Sequence, residues 1–383
     1  MIYLDNAATS FPKPECVYTE MERCMREYCA NPGRGGHMLS VKAGMAVMEA
    51  RDAICSLFNI SDPMRLCFTK NATEALNIAI KSLARPGCHM LTTSMEHNSV
   101  IRPLKTLERD MGVELTIVNC SGLGEICPDD IKKAIRSNTA LIICTLSSNV
   151  NGIIMPVREI GHIAHNAGVP FLVDASQGAG YLPVDVEEMN ADLLAFPGHK
   201  GLMGPQGTGC LYAREGITLK SLMEGGTGSH SEYTFQPEFM PDLLESGTLN
   251  LPGIVGLNAG VRYIAQRGIS EIRAYRHKLL KLLLDGLRDI PGVIHYSADT
   301  PDRNSGIVAI NLLQLDSTEL SYILDRDFGI AIRAGLHCAP GAHRVLGTEI
   351  RGAARFSVGC MNTESDILAA IKAVEKIYEK YHS

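Results

Sequence analysis

Between residues 65 and 215, seven short apolar segments alternate with longer stretches, most of which place apolar residues at helical spacing. The apolar segments are RLCFT, CHMLTTS, VELTIVN, ALIICTLS, VPFLVDAS, DLLAFPG and TGCLYAR. Short buried strands joined by amphipathic helices build a mostly parallel sheet with helices on both faces. The pattern therefore predicts an α/β fold, with functional residues just beyond the carboxyl ends of the strands.

The chain changes character after this region. Residues 216–252 are rich in glycine, serine and proline, and a helical pattern follows at about 253–289. Later strand patterns lie near 305–311, 329–333 and 353–358. A chain of 383 residues is long enough for two domains. We predict a large α/β domain at 15–255 and a smaller α+β domain at 256–383, which the N-terminal segment 1–14 joins.

Composition argues against several classes of protein. The chain has 36 Lys and Arg against 42 Asp and Glu, a formal charge of −6, and no basic cluster with interleaved aromatic residues. Nucleic acid is therefore not an expected partner. No long apolar run predicts a membrane span, and no secretory signal precedes IYLDNAAT, so a cytoplasmic location is expected.

The cysteines and histidines do not predict a metal site. The 12 cysteines lack CxxC pairs and zinc spacing, and in a reducing compartment most are expected to be small buried residues. The HIAH segment at 162–165 lies in a helical pattern without a third ligand nearby, which favours a solvated helix face.

One lysine lies in a segment with almost no other charge. The segment FPGHKGLMGPQGTG, residues 196–209, places Lys200 after His199 and between glycines. A lysine whose surroundings lower its pKa becomes a nucleophile toward carbonyl compounds. An ordinary surface loop explains the GHKG tetrapeptide as well, so the other segments have to decide.

Polar residues follow three other strand patterns. VDASQ ends a strand at Asp174, which can pair with a cationic ring nitrogen so that the ring accepts electrons. TKNATEALN enters a helix whose first turn, at Thr73, suits a phosphate. TTSMEHNS places His97 at another strand end, where an imidazole can stack on a flat ring or transfer protons. Turns, helix caps and structural histidines explain each segment equally well in isolation.

The C-terminal part contributes a cysteine between two arginines. IRAGLHCAP places Cys338 beside His337 and five residues after Arg333, and ARFSVG supplies Arg355. Arginines that frame a loop cysteine suit bidentate binding of a substrate carboxylate next to a thiol nucleophile. An inert buried role is the alternative for any one cysteine. Taken together, the strand-end residues, the lysine and the arginine point to pyridoxal phosphate.

These segments also resemble a known family. The motifs YLDNAAT, NATEALN, MEHNS, SSNVNG, LVDASQ, GHKGLMGPQGTG, ESGTLNLPG, IRAGLHCAP and ARFSVGCMNT occur in the order of the class V aminotransferases, fold type I of the pyridoxal phosphate enzymes. Within that family the chain resembles the cysteine desulfurases. The resemblance implies a large domain with a mostly parallel seven-stranded sheet and a smaller α+β domain that carries the cysteine loop.

The resemblance implies a role for each matching residue. Lys200 resembles the lysine that binds the cofactor covalently, and Cys338 resembles the cysteine that forms a persulfide, with His97 as a third catalytic residue. The implied cofactor-binding residues are Lys200, Asp174, Gln177, His97, Asn149, Thr73, Ala72, His199 and, from the other subunit of a homodimer, Thr248. The implied substrate-binding residues are Arg355, Arg333 and Asn149.

The implied reaction converts L-cysteine to L-alanine and leaves sulfur on Cys338 for an acceptor protein. Only 16 residues separate Cys338 from Arg355, a short loop that resembles the SufS-like group. Pro197 stands where many relatives have Ser or Thr, and it supplies neither a hydroxyl nor an N–H to the phosphate. A selenocysteine lyase and a class V aminotransferase are the alternative enzymes, and a non-catalytic cofactor-binding protein is a third reading.

Overall fold

The computed structural model of the chain describes residues 1–33, 35–229, 232–298, 300–313 and 315–382. The strands of the described part are β1 (Ile2–Tyr3), β2 (Leu66–Thr69), β3 (His89–Thr93), β4 (Glu114–Val118), β5 (Thr139–Thr145), β6 (Phe171–Asp174), β7 (Leu193–Pro197), β8 (Gly209–Ala213), β9 (Val293–His295), β10 (Ile307–Leu312), β11 (Ile330–Ala331), β12 (Arg333–Gly335) and β13 (Ala353–Ser357).

The helices are α1 (Glu15–Glu27), α2 (Met38–Phe58), α3 (Ala72–Leu83), α4 (Asn98–Met111), α5 (Pro128–Ala134), α6 (Val157–Asn166), α7 (Leu251–Arg267), α8 (Ile269–Arg288), α9 (Ser317–Phe328), α10 (Pro340–Val345) and α11 (Glu364–His382). None of these helices is long and apolar enough to cross a membrane.

A seven-stranded sheet has the order β2-β8-β7-β6-β5-β3-β4. Strand β8 runs antiparallel to both of its neighbours, and the remaining strands run parallel to one another. Each of the seven apolar segments of the sequence forms one of these strands. The predicted α/β fold with a mostly parallel sheet is therefore confirmed.

Both faces of this sheet are buried, which explains why its strands are nearly continuous apolar runs. In β7, Leu193 and Ala195 pack into a core with α3 and α4, while Leu194 and Phe196 pack into a second core on the opposite face. Neighbouring side chains of a strand point to opposite faces, so each residue of β7 contributes to one core or the other.

The C-terminal part forms a second, antiparallel sheet of four strands in the order β12-β13-β10-β9. Helices α8, α9 and α11 cover one face of it with leucine, isoleucine and alanine side chains. The N-terminal strand β1 pairs in parallel with β11. Strand β9 was not predicted because its three residues, Val-Ile-His, are too few to form a clear apolar pattern.

Helix α7 crosses the predicted domain boundary at residue 256 and packs on α1 and α2. A long, largely buried helix therefore joins the two predicted domains. The domain limits, 15–255 and 256–383 with 1–14, stay predictions.

A buried ion pair protects the edge of the large sheet. Glu245 accepts a hydrogen bond from the Phe68 N–H of edge strand β2 at 2.7 Å and binds the Arg51 guanidinium at 2.9 Å. Arg51 also donates to the Leu66 carbonyl, and both charged side chains are buried. Unpaired N–H groups on an edge strand can form hydrogen bonds with another chain. The Glu245 carboxylate prevents this at Phe68 by accepting its N–H.

Replacing Glu245 should reveal how much this pair contributes. Glu245→Ala leaves the Arg51 guanidinium buried without a counter-charge, so the free energy of unfolding should fall by about 3–5 kcal/mol. Urea unfolding followed by circular dichroism measures the change. Glu49→Ala, which removes the exposed partner of Arg262, is the matched control and should cost less than about 1 kcal/mol. Equal losses in the two variants would contradict the role given to Glu245.

Candidate active site

Loops at the carboxyl ends of the parallel strands meet at one cavity. Asp174 is the last residue of β6, Thr145 is the last residue of β5, and Lys200 follows the end of β7. The cavity is lined by Asn71, Ala72, Thr73, Leu76, His97, Ser99, Thr145, Ser147, Asn149, Asp174, Ser176, Gln177, Pro197, His199 and Lys200. All the predicted cofactor-binding residues except Thr248 therefore face a common space.

The loop that carries Lys200 packs so closely against the backbone near Gly180 that no side chain fits at the adjacent Gly201. A Cβ atom on Gly201 would lie 2.2 Å from the Ala179 carbonyl oxygen, and one on Gly180 would lie 2.4 Å from the Gly201 carbonyl oxygen. Bonds from the Gly198 N–H to the Thr208 carbonyl and from the Gly204 N–H to the Gly198 carbonyl, both 2.8 Å, close the loop. The glycines thus hold Lys200 at the cavity wall.

The electrostatics of the cavity keep the Lys200 amine weakly basic. Burial lowers its pKa to about 8, the buried Asp174 carboxylate opposes that shift, and the guanidinium groups of Arg355 and Arg333 add to it. Asp174 accepts a 2.9 Å hydrogen bond from the Ser176 N–H. The cavity therefore combines an amine that is partly unprotonated near neutral pH with a buried carboxylate.

Two helix N-termini meet at the other end of the cavity. Asn71 caps α3 by accepting the Glu74 N–H at 3.0 Å, and His97 caps α4 by accepting the Ser99 N–H through Nδ1 at 3.0 Å. The hydroxyls of Thr73 and Ser99 are hydrogen-bonded at 2.8 Å between them. The first-turn N–H groups have no intrahelical acceptors, so this end of the cavity suits an anion.

The two histidines of the cavity are neutral at pH 7. Burial lowers the pKa of His97 to about 4, against the attraction of Asp174. Burial followed by the charges of Lys200 and Lys13 lowers the pKa of His199 to about 4. Since Nδ1 of His97 accepts an N–H, its proton lies on Nε2. Nδ1 of His199 is buried without a hydrogen-bond partner in the described structure.

The N-terminal segment fixes the backbone at His199. The His199 carbonyl oxygen accepts hydrogen bonds from the Ser10 N–H at 3.1 Å, the Thr9 hydroxyl at 3.0 Å and the Lys13 ammonium at 2.8 Å. Gln177 donates to the Ala7 carbonyl at 2.9 Å. Residues before α1 therefore hold the backbone next to Lys200 and one wall of the cavity.

The antiparallel sheet brings the arginines to this region. In β13, Ala354 and Phe356 point to the helices of the second core, so Arg355 points to the opposite face. Its guanidinium, 1% exposed, donates to the Asn149 carbonyl and to the Asp5 carboxylate, both at 2.7 Å. Burial lowers the pKa of Arg355, and Asp5 counteracts that effect.

The cysteine lies next to these groups on an exposed turn. The Arg333 guanidinium is 3.8 Å from the Cys338 sulfur, and the Asn98 N–H donates to the Cys338 carbonyl at 2.8 Å. Asn149 donates to the His337 carbonyl at 2.6 Å. Asn149 thereby connects the cavity of Lys200 with the turn of Cys338 and with Arg355.

Some predicted residues lie elsewhere. Thr248 lines a separate surface cavity with Thr69 and Lys70, away from Lys200 of the same chain. The HIAH segment lies on α6, and no group of three or more His, Cys, Asp or Glu in the described residues could hold a metal ion.

Sequence reasoning missed several polar residues of the site. Asn71 and Ser99 lie inside the quoted motifs. A search for helix caps would have found Asn71, whereas Ser99 lies in the first turn of α4 and is not the cap. Asp5, by contrast, is separated from Arg355 by 350 positions, so no local pattern pairs them. Glu96 was also missed. It is fully buried, it accepts bonds from the Thr93 hydroxyl at 2.7 Å and the Thr145 N–H at 3.0 Å, and burial raises its pKa to about 8.

Comparison with known proteins agrees with this arrangement. A family model described as aminotransferase class-V matches residues 2–369. The chain belongs to this family. The probable cysteine desulfurase of Methanothermobacter thermautotrophicus is 36% identical over 382 residues, which is 98% of this chain and 94% of that protein.

Solved structures agree as well. A cysteine desulfurase from Thermococcus onnurineus superimposes with a TM-score of 0.93 at 33% identity, covering 99% of this chain and 95% of that one. The cysteine desulfurase CsdA of Escherichia coli has a TM-score of 0.89 at 27% identity, with the same coverage. The expected class V family and fold type are confirmed.

The depressed histidine pKa values predict how acid affects the ligand-free protein. Between about pH 6.5 and about pH 4, His199 binds a proton in the unfolded chain and not in the folded one, so the free energy of unfolding falls as the pH falls. His199→Gln should reduce that slope by up to about 1.4 kcal/mol per pH unit. Urea unfolding between pH 4 and pH 8 measures it.

The control is His162→Gln on the exposed face of α6, which should leave the slope unchanged. A slope that stays the same in His199→Gln would mean that His199 does not lie buried and neutral.

Proposed function

We propose that the protein is a cysteine desulfurase that uses pyridoxal 5'-phosphate, converts L-cysteine to L-alanine and leaves sulfur on Cys338. The observation that carries this proposal is the exposed Cys338 thiol at 3.8 Å from the Arg333 guanidinium, beside a cavity with a weakly basic lysine. A transaminase has no need of such a thiol. The relatives named as cysteine desulfurases support the same reaction.

The described residues fit this cofactor at both ends. Its phosphate matches the N-terminus of α3, with Ala72, Thr73 and Ser99, and the buried, unpartnered Nδ1 atom of His199 is a further polar atom near the Lys200 loop. Its aldehyde matches the amine of Lys200. We assign Asp174 to its ring nitrogen, His97 to the ring itself, and the side chains of Asn149 and Gln177 to its hydroxyl. When bound, the group serves as an electron sink for the substrate carbon.

Arg355 is suited to the carboxylate of the substrate. Its guanidinium uses one nitrogen for Asn149 and one for Asp5, while Nε is buried without a hydrogen-bond partner. A substrate carboxylate satisfies donors that the protein leaves unused, and a charged pair of this kind orients the amino acid. Arg333, directly opposite Arg355 in the sheet register, lines the same region.

The protein's own groups supply the proton transfers. The unprotonated amine of Lys200 removes the proton from the substrate Cα, and Asp174 balances the positive charge nearby. The proton that Lys200 takes up is then available to the departing carbon skeleton. His97 lines the same cavity, is neutral with its proton on Nε2, and is suited to relay that proton by taking up one proton as it gives one up. Lys200 can act as a base near neutral pH because burial has lowered its pKa to about 8.

Cys338 carries out the sulfur transfer. Its thiolate attacks the substrate sulfur, a bond forms between the two sulfur atoms, and the bond between the substrate sulfur and Cβ breaks with its electrons going to carbon. A proton then completes alanine. The persulfide on the exposed turn is accessible to an acceptor, and a short loop of this kind favours an acceptor protein that docks at the site.

We also propose a homodimer in which Thr248 contacts the cofactor of the partner subunit. This proposal is supported by the position of Thr248 in a surface cavity that is separate from the Lys200 cavity of the same chain.

Pro197 lines the phosphate cavity at the end of β7 and has no N–H to donate. Compared with a Ser or Thr at this position, Pro197 gives the phosphate one hydrogen bond fewer, which is worth about 1 kcal/mol of cofactor affinity.

Cys338→Ala tests the reaction. The variant should retain the cofactor but lose at least about a hundredfold of the rate at which cysteine yields alanine and sulfide, because the nucleophile is gone. Wild type should form the two products in equal amounts when a reductant is present. The control Cys127→Ala, which removes another exposed cysteine, should keep full activity.

The alternatives give different products. Unchanged release of selenium from selenocysteine by Cys338→Ala, with no cysteine turnover by wild type, would favour a selenocysteine lyase. Formation of a 2-oxo acid in place of alanine would favour an aminotransferase.

Cofactor loading tests Lys200 separately. Only an unprotonated amine attacks an aldehyde, so the rate at which ligand-free protein binds added pyridoxal phosphate covalently should rise up to about pH 8 and then level off. Stopped-flow absorbance of the visible band measures it. Lys200→Met should form no band, whereas Lys13→Met, which removes another lysine of pKa about 8, should still form it. A band in Lys200→Met would contradict the assignment.

A further inference from the structure

The nucleophile lies in an unusual backbone conformation. His337 and Cys338 are consecutive non-glycine residues in the left-handed region, with φ of +48° and +58°. This region is unfavourable for residues with a Cβ, so the surrounding structure must hold the turn in place. The bonds from Asn149 to the His337 carbonyl and from Asn98 to the Cys338 carbonyl hold its backbone.

Behind the turn, a chain of hydrogen bonds holds the side chain of His337. The Thr348 hydroxyl lies 2.7 Å from Nδ1 of His343, Nε2 of His343 lies 3.2 Å from Nδ1 of His337, and Nε2 of His337 lies 3.4 Å from the Arg333 carbonyl oxygen. The two imidazole rings are stacked, with centroids 5.3 Å apart. The chain thus runs from the loop after α10 to strand β12.

The Arg333 carbonyl oxygen at the end of this chain determines which atom donates and which accepts in each hydrogen bond. A carbonyl oxygen only accepts, so Nε2 of His337 carries the proton and its Nδ1 is an acceptor. Nε2 of His343 must then donate, and its Nδ1 accepts the hydroxyl proton of Thr348. When both rings are neutral, this is the one pair of tautomers in which every ring nitrogen has a partner.

Burial of the chain agrees with neutral rings. The exposed fractions of His337, His343 and Thr348 are 3%, 0% and 2%. Burial, followed by the charge of Arg355, lowers the pKa of His337 to about 2, and burial lowers that of His343 to about 4 despite the nearby Glu349. Protonation therefore does not disturb the chain at neutral pH.

The chain ends at the residue whose guanidinium contacts the nucleophile. Arg333 accepts the last hydrogen bond through its carbonyl, and its side chain lies 3.8 Å from the Cys338 sulfur. We infer that His343 and Thr348 are positioning residues, which act through His337 to hold the Cys338 thiol beside the Arg333 guanidinium. The inference rests on the proposed function, in which Cys338 is the nucleophile.

The test uses Thr348→Val and Thr348→Ser. Valine keeps the shape and loses the hydroxyl, whereas serine restores the hydroxyl. Thr348→Val should lower kcat for cysteine and slow the alkylation of Cys338 by iodoacetamide, each by about fivefold, the effect expected for one lost hydrogen bond. The KM for cysteine should stay within about twofold, because Arg355 is untouched, and Thr348→Ser should restore both rates. Mass spectrometry of the Cys338 peptide measures the alkylation.

His343→Leu should give a similar or larger effect, and His89→Leu is its matched control. His89 is also buried, and it lies between the hydroxyls of Thr139 and Thr116 at 2.8 Å each, in β3 away from the cysteine. His89→Leu should lower stability without changing the alkylation of Cys338. Should His343→Leu fail to fold, the Thr348 pair decides.

Unchanged alkylation and kcat in Thr348→Val would overturn the inference, and so would a failure of Thr348→Ser to restore them. The proposed function is tested independently by wild type. If wild type makes no alanine from cysteine, the desulfurase proposal fails, while slower alkylation in Thr348→Val still supports the positioning of the thiol.

Discussion

The buried guanidinium of Arg355 joins three distant parts of the chain at the site. It donates to the Asp5 carboxylate from the N-terminal segment and to the Asn149 carbonyl beyond β5, and it belongs to the C-terminal sheet. A buried cation is tolerated only with such partners, because its loss of hydration is large. The same contacts that make Arg355 stable also bring the turn of Cys338 to the cavity of Lys200.

Exclusion of water is the second requirement of the site. Burial is the main cause of the low pKa values of Lys200, His97 and His199, and it raises the pKa of Glu96. His97, His199 and Glu96 are therefore mostly neutral at pH 7, and the Lys200 amine is partly unprotonated, although the sequence contains all four as ordinary ionisable residues. The sheet supplies this burial because both of its faces are covered and the cavity lies at its carboxyl edge.

Much of the site could be predicted because its residues immediately follow strands. Asp174 and His97 come directly after or at the end of apolar segments, and the parallel arrangement of those strands brings their ends together. The sequence also placed Arg333 and Cys338 at the same pocket, since only five positions separate them, and the structure shows that the two side chains are in contact. Asp5, Glu96 and the chain from Thr348 to Arg333 were not predicted, because they depend on contacts between segments that no spacing relates.

The sequence by itself determined the alternation of apolar segments and helices, hence the sheet, and it determined which nucleophiles, acids and cations are present at the strand ends. Only the tertiary structure decided their ionisation and partners: which amine loses its charge, which carboxylate faces Arg355, and which imidazoles hold the Cys338 turn. The physical reason is that periodicity reflects local burial on one element, whereas pKa values and hydrogen-bond direction depend on the sum of groups from several elements that meet in a region of low polarity.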